Sequence, residues 1–122
     1  MRAVAAQNGL GSLVAPVRPT QKERYPLTPL ERYAAWRRPD GHPVDPWIRL
    51  HERIGGEVLG VASDSLVVTG SVEEWQEWVG MVFPETGDYV VPGALVPVHI
   101  DREVDQGRYA EPNLWMRHAV SG

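Results

Sequence analysis

No stretch of this chain runs far before it meets a proline or a glycine: eleven of the first and twelve of the second are spread through 122 residues. They lie between apolar segments and form no low-complexity tract, so each one ends or turns an element. The chain is therefore read as many short helices and strands. With 43% hydrophobic residues, it suffices for one compact domain but not comfortably for two, and residues 1–122 are taken as a single domain.

The formal charge of −4 comes from acidic and basic residues that alternate along the chain, which leaves no basic face for a phosphate backbone. Nucleic acid is not an expected partner. There are no cysteines, so disulfides and thiolate metal sites are excluded. No apolar run approaches the length of a membrane-spanning helix, and the start, "MRAVAAQNGLG", lacks the continuous apolar core of a signal peptide. No membrane association and a cytoplasmic location are expected.

Residues 2–8 read as the last turns of a helix stopped at Asn8 and Gly9, and "SLVAPVRP" (12–19) as a mostly buried strand with Arg18 at its end. Thr28, Pro29 and Glu31 supply a cap, a first-position proline and a capping-box acid for a helix over 29–37. The best-delimited helix is "DPWIRLHERIGG": Asp45 caps it, Pro46 suits its first position and Gly55 closes it in the left-handed conformation. "EVLGVASDSLVVTG" reads as two strand pieces around Ala62 to Asp64, and Ser71 with Glu74 opens a helix over 72–79 ended by Gly80. From residue 81 the texture changes to a β-rich tail: "DYVV", "ALVPVHI" and "GRYAEPNLWMRH". The fold class is α+β, with a mixed or antiparallel sheet and three short helices.

Short helix, strand, helix and strand pair, in that order, resemble the second half of the GNAT superfamily of acyl-CoA-dependent N-acetyltransferases. The stretch Leu50-His51-Glu52-Arg53-Ile54-Gly55-Gly56-Glu57-Val58 has the layout of that superfamily's helix, glycine turn and strand. "NGLGSLVAPVRPTQKERYPL", "DPWIRLHERIGGEVL", "GDYVVPGALVPVHID" and "YAEPNLWMRH" together are similar to the carboxy-terminal region of GNAT-like proteins of actinobacterial type. The likeness covers nearly the whole chain. Two positions depart from it: His51 stands where the superfamily often has a tyrosine that protonates the leaving thiolate, and Gly56 stands where an aromatic residue is usual. The superfamily's pyrophosphate loop would fall before residue 1. The resemblance implies acetyl-CoA or another acyl-CoA as cofactor, a small-molecule amine as acceptor, in secondary or resistance metabolism, and a cleft completed by a second copy or a separate amino-terminal half.

His51 is the candidate catalytic residue, because an imidazole titrates near neutrality and acyl transfer to an amine needs protons moved twice. Between Arg49, Glu52 and Arg53 it also suits a partly exposed structural role. Arg18 and Lys22 are candidates for an anionic group, a cofactor phosphate or a substrate carboxylate, on one rim; paired with Glu23 or Glu31 they would be ordinary surface charges. Trp36, Trp47, Trp75 and Trp78 fall on predicted helices, where packing against the sheet is their ordinary role; Trp47 is also a candidate for substrate contact. In "EPNLWMRH", Glu111, Asn113, Trp115 and His118 either pin the last strand to loops or line a substrate pocket. His42, His51, His99 and His118 lack the spacing of a zinc motif, and no G-x-S-x-G elbow is present, so neither a metal nor a serine nucleophile is expected. Besides a partial acyltransferase, two readings stay open. One is a small dimeric binding or regulatory protein without catalysis, and the other a biosynthetic enzyme with an apolar pocket near His51 and Trp115.

Overall fold

The structure, a computed structural model, describes residues 12–119. The helix expected over residues 2–8 lies outside them. Five strands form one antiparallel sheet, accompanied by three short α-helices and a single 3-10 turn at Lys22–Arg24. This is the α+β class expected from the sequence, and it is consistent with the carboxy-terminal half of the GNAT fold. No helix among the described residues is long and apolar enough to cross a membrane.

The last strand, β5 (Gln106–Ala119), is the centre of the sheet. On one edge it pairs along most of its length with β2 (Glu57–Gly70). On the other edge β1 (Ser12–Val17) takes residues 114–119 and β4 (Val98–Asp101) takes 106–108, with β3 (Gly87–Tyr89) beyond β4. Residues 109–113 have no strand neighbour on that second edge. Their main-chain groups there have no ladder partner, and this gap becomes part of the site.

The buried positions of β5 switch from odd (Gly107, Tyr109, Glu111, Asn113) to even (Leu114, Met116, His118) along its length. Two cores result. Around the even positions, Val17, Leu30, Tyr33, Ala34 and Ile48 pack with Leu114 and Met116; around the odd ones, Val72, Trp75, Phe83, Val91, Val98 and Ile100 pack with Tyr109. Each helix buries at least one apolar residue in one of these two clusters, which is where short helices gain most of their stability.

Helix α2 (Pro46–Arg53) is built as its sequence predicts. Asp45 accepts the Trp47 and Ile48 amides at 2.9 and 3.1 Å, Pro46 occupies the first turn, and Gly55 follows at φ +92. Helix α3 (Val72–Val79) likewise has a complete Ser71–Glu74 capping box and ends on Gly80 at φ +69.

Helix α1 departs from expectation, spanning only Leu30–Ala35 with Pro29 at its cap and no side-chain capping bond. The Thr28 amide is engaged in a turn with the Tyr25 carbonyl, and Trp36 is extended because it accepts from the Val44 amide while Arg37 bridges Pro43. The tertiary bridge thus ends the helix before its sequence does. Two more expectations are corrected. The 57–70 segment is one strand, in which Ser63, Asp64 and Ser65 bulge opposite Pro112 between the Ala62–Asn113 and Leu66–Glu111 pairs. And β1 is half-exposed along its described length, with Val14 and Pro16 outward, because it pairs only with β5.

Candidate active site

A cleft of about 450 Å³ opens between β1 and α2. Leu13, Ala15, Pro16 and Val17 form one wall, Trp47 and Ile54 the other, and Arg18, His51 and His118 supply its polar groups. Pairing on one side only leaves β1 free to face this space.

At one end two imidazoles meet. His51 Nδ1 and His118 Nε2 lie 2.9 Å apart, with ring centroids separated by 5.0 Å. The outer nitrogens, His51 Nε2 and His118 Nδ1, are buried and have no hydrogen-bond partner among the described residues. Burial, which disfavours any charge on the ring, lowers the pKa of His51, and repulsion from His118 lowers it further. Trp47 stands edge-on to the His51 ring at 4.9 Å between centroids.

Gly56 makes this pair geometrically allowed. A Cβ there would sit 2.5 Å from His118 Cε1 and 2.6 Å from the His51 carbonyl oxygen. The lack of a side chain at Gly56 is what leaves room for the His118 ring. Nothing in the spacing of residues 51, 56 and 118 announces this.

At the other end of the cleft Arg18 enters the gap in β5. Its Nε donates to Glu111 Oε1 at 3.1 Å and its Nη2 to the Gly93 carbonyl at 3.0 Å. Glu111 also accepts from the Tyr109 hydroxyl at 2.9 Å and from Asn113 Nδ2 at 3.2 Å, while Asn113 Oδ1 accepts from Ser65 on the bulge at 2.8 Å. The polar side chains of Tyr109, Glu111 and Asn113 are thereby all hydrogen-bonded. Burial raises the Tyr109 phenol to about 12, so it stays a donor to the carboxylate.

The structure brings Arg18, Trp47, His51 and His118 to one cleft, with Glu111 held directly by Arg18 and Asn113 behind Glu111. Lys22 does not share the rim with Arg18. It is fully buried, donating from Nζ to the carbonyls of Tyr25 and Leu95 at 2.7 and 2.6 Å, and burial lowers its pKa. It clamps two loops together and presents no charge to a ligand. Trp115 is also elsewhere: its position alternates with the buried Leu114 and Met116, leaving it 40% exposed, and the tryptophan beside His51 is Trp47. The expectation that most of the helix tryptophans anchor the core holds for Trp75 and, in part, for Trp36, while Trp47 and Trp78 are 42% and 52% exposed. Asp45 does more than cap α2. It is buried and accepts from the Gln21 amide at 3.0 Å and from the Tyr33 hydroxyl, tying the loop after β1 and helix α1 to the start of α2. Among the described residues no three His, Asp or Glu side chains converge as metal ligands would.

Fold and cleft together describe an α+β domain whose polar chemistry is gathered between an edge strand and a short capped helix. No protein-family model matches the chain, and no solved structure matches it. A curated protein does: the arginine N-acetyltransferase avaD of Aspergillus versicolor is 34% identical over an alignment of 138 residues. The match takes in 98% of this chain and 48% of that protein, so the chain spans about half the length of its relative.

Proposed function

We propose that the chain forms the acceptor side of an N-acetyltransferase, which moves an acetyl group from acyl-CoA to an amine of a small molecule. The observation that carries this reading is the cleft beside β1, with His51 on its wall, in a chain 34% identical to a protein named as an arginine N-acetyltransferase. An acyl-CoA supplies a thioester carbonyl that an amine nitrogen can attack. The apolar wall of Leu13, Ala15, Pro16, Val17 and Ile54 suits an acyl group, but the described residues hold no glycine-rich turn at a helix start, and Lys22 is buried. The phosphates therefore find no cradle here, and no step is derived through them.

The chain's own residues account for the acceptor. An ammonium must lose a proton before its nitrogen can attack, and His51, whose ring lines the cleft, is the residue that would take it; a lowered pKa keeps its imidazole neutral near neutral pH. Arg18, anchored by Glu111, sits where it would pair with a carboxylate of the acceptor, and Trp47 would cover its apolar part. The free edge of β1 is where the rest of the cleft would attach, from a second copy or from a polypeptide matching the remaining length of the relative.

The test is CoA release by the product of the complete reading frame, supplied with acetyl-CoA and a panel of amines that includes arginine. We expect His51→Ala to lower kcat by about 100-fold or more while the circular dichroism spectrum is kept. Unchanged turnover in that variant removes His51 from the reaction. No turnover with any amine, together with no heat on adding roughly millimolar acetyl-CoA, ends the acetyltransferase reading.

A further inference from the structure

On the side of α2 turned away from the cleft, a second recess of about 230 Å³ is lined by His42, Arg49, Glu52 and Arg53. Trp47, His51 and Ile54 face the cleft while Arg49, Glu52 and Arg53 face this recess, so the two sites share a helix and no residue. His42 reaches the recess from a different segment. The Arg37–Pro43 bridge, with the Arg38 amide on the His42 carbonyl at 2.8 Å and the Gly41 amide on the Arg38 carbonyl at 2.9 Å, folds "RPDGH" into a turn that sets His42 against the polar side of α2.

Charge in the recess is not balanced. The Glu52 carboxylate that lines it is engaged by Arg37 Nη1, at 3.3 and 3.2 Å from its two oxygens. Asp40, in the turn beside His42, is engaged by Arg38 at 2.9 Å and by the His42 amide at 3.0 Å. Arg49 is fixed by carbonyls rather than by a counter-ion: its Nη1 donates to Pro43 and Val44 at 3.0 and 3.4 Å, and its Nε and Nη2 have no partner among the described residues. Arg53, one turn further along α2, forms no ion pair among the described residues. Cations are at home in the last turn of a helix. What this recess adds is that two of them meet at one hollow, with a third donor across from them and both nearby carboxylates already taken.

We propose that this recess binds a phosphoryl group, as free phosphate or as a phosphate monoester, held by Arg49, Arg53 and a ring N–H of His42. The ligand class follows from the number and placing of the donors. A carboxylate has two oxygens in one plane, and a single guanidinium fork saturates it. A phosphoryl group presents three terminal oxygens on different sides and carries nearly two negative charges near neutral pH, which matches two guanidiniums and a ring N–H arriving from two segments. Arg49 is already held by two carbonyls, so it loses little freedom when a ligand arrives. The proposal is independent of acetyl transfer, because no residue of the cleft takes part in it.

The test is a titration of the 122-residue chain with inorganic phosphate in Tris buffer at about pH 7.5, where the second phosphate proton is mostly lost. Nitrogen-15 signals of the arginine Nε and histidine ring atoms report the site. Up to about 10 mM phosphate, a range that covers millimolar affinity, Arg49, Arg53 and His42 should move together along one saturating curve while Arg108, at the other end of β5, stays still. Adenosine monophosphate in place of phosphate distinguishes the sources: binding about tenfold tighter assigns the site to a phosphate ester, and equal or weaker binding assigns it to free phosphate. Acetate should bind about tenfold or more weakly than phosphate, and equal binding overturns the ligand class. Arg53→Gln should weaken phosphate about tenfold, and because Arg53 is exposed and bonds to no other described side chain the variant keeps its fold. Arg108→Gln removes the same charge from an exposed position outside the recess and should change nothing. Equal weakening in the two variants, or no saturating shift at Arg49 and Arg53 in the unsubstituted chain, overturns the site.

Discussion

Asp45 shows how far one side chain's role can extend beyond its own element. As a helix cap it is readable from "DPW", because the capping preference is local. Its bonds to Gln21 and Tyr33 join segments that meet only in the folded chain. Asp45→Ala therefore removes a cap and strands a buried amide and hydroxyl, and we expect it to destabilise the fold by about 2–4 kcal/mol in urea unfolding. Replacement by a residue that loses only the cap would cost about 1 kcal/mol. Gly56 makes the reverse case, a residue whose requirement is invisible locally. Gly56→Ala puts a methyl group against the His118 ring and the His51 carbonyl, and a loss of about 1–3 kcal/mol in urea unfolding is expected. A mutant as stable as the wild type would show that the ring has room to move. Lys22 looked like a surface cation in "TQKERYP", since nothing in that stretch foretells that Tyr25 and Leu95 turn their carbonyls toward it.

At the level of elements, two similar capping signals had different outcomes. Ser71 and Glu74 form their box; Thr28 and Glu31 do not, because the chain on both sides of α1 is engaged in a turn and a bridge. Ser71→Ala should then cost about 1 kcal/mol, and Thr28→Ala no more than about 0.5 kcal/mol, when the two are compared by thermal unfolding. Equal losses would mean that the Thr28 cap forms in solution. The same contrast explains the strands. Alternation in "EVLGVASDSLVVTG" marks β structure, but whether its middle breaks or bulges depends on the partner, and Pro112 opposite Ser63 to Ser65 lets one strand continue. In β5 the switch of buried parity at Asn113 and Leu114 reflects two cores on one strand, which no single period could announce.

For the whole molecule, His51 links stability to pH. The folded-state pKa of His51 lies below its ordinary value, so the unfolded chain binds more protons once pH falls below about 6.5. Above that value neutral His51 keeps its full contribution to stability; as pH drops toward the depressed folded value that contribution is lost, and below it the loss stops growing. Midpoints of urea unfolding should therefore fall on acidification from about pH 7 to about pH 5, and less so in His51→Gln. An identical pH dependence in the two proteins would detach the effect from His51. What could be read along the chain was whatever rests on neighbours in sequence: the α+β class, helices α2 and α3 with their caps, and a β-rich tail, because caps and periodicity act over a few residues. The central place of β5, the gap at 109–113 that draws in Arg18, the burial of Lys22 and the meeting of His51 with His118 came from strand pairing between distant segments. Such pairing is chosen by the energy of burying whole faces together, and that sum is not carried by any local stretch of residues.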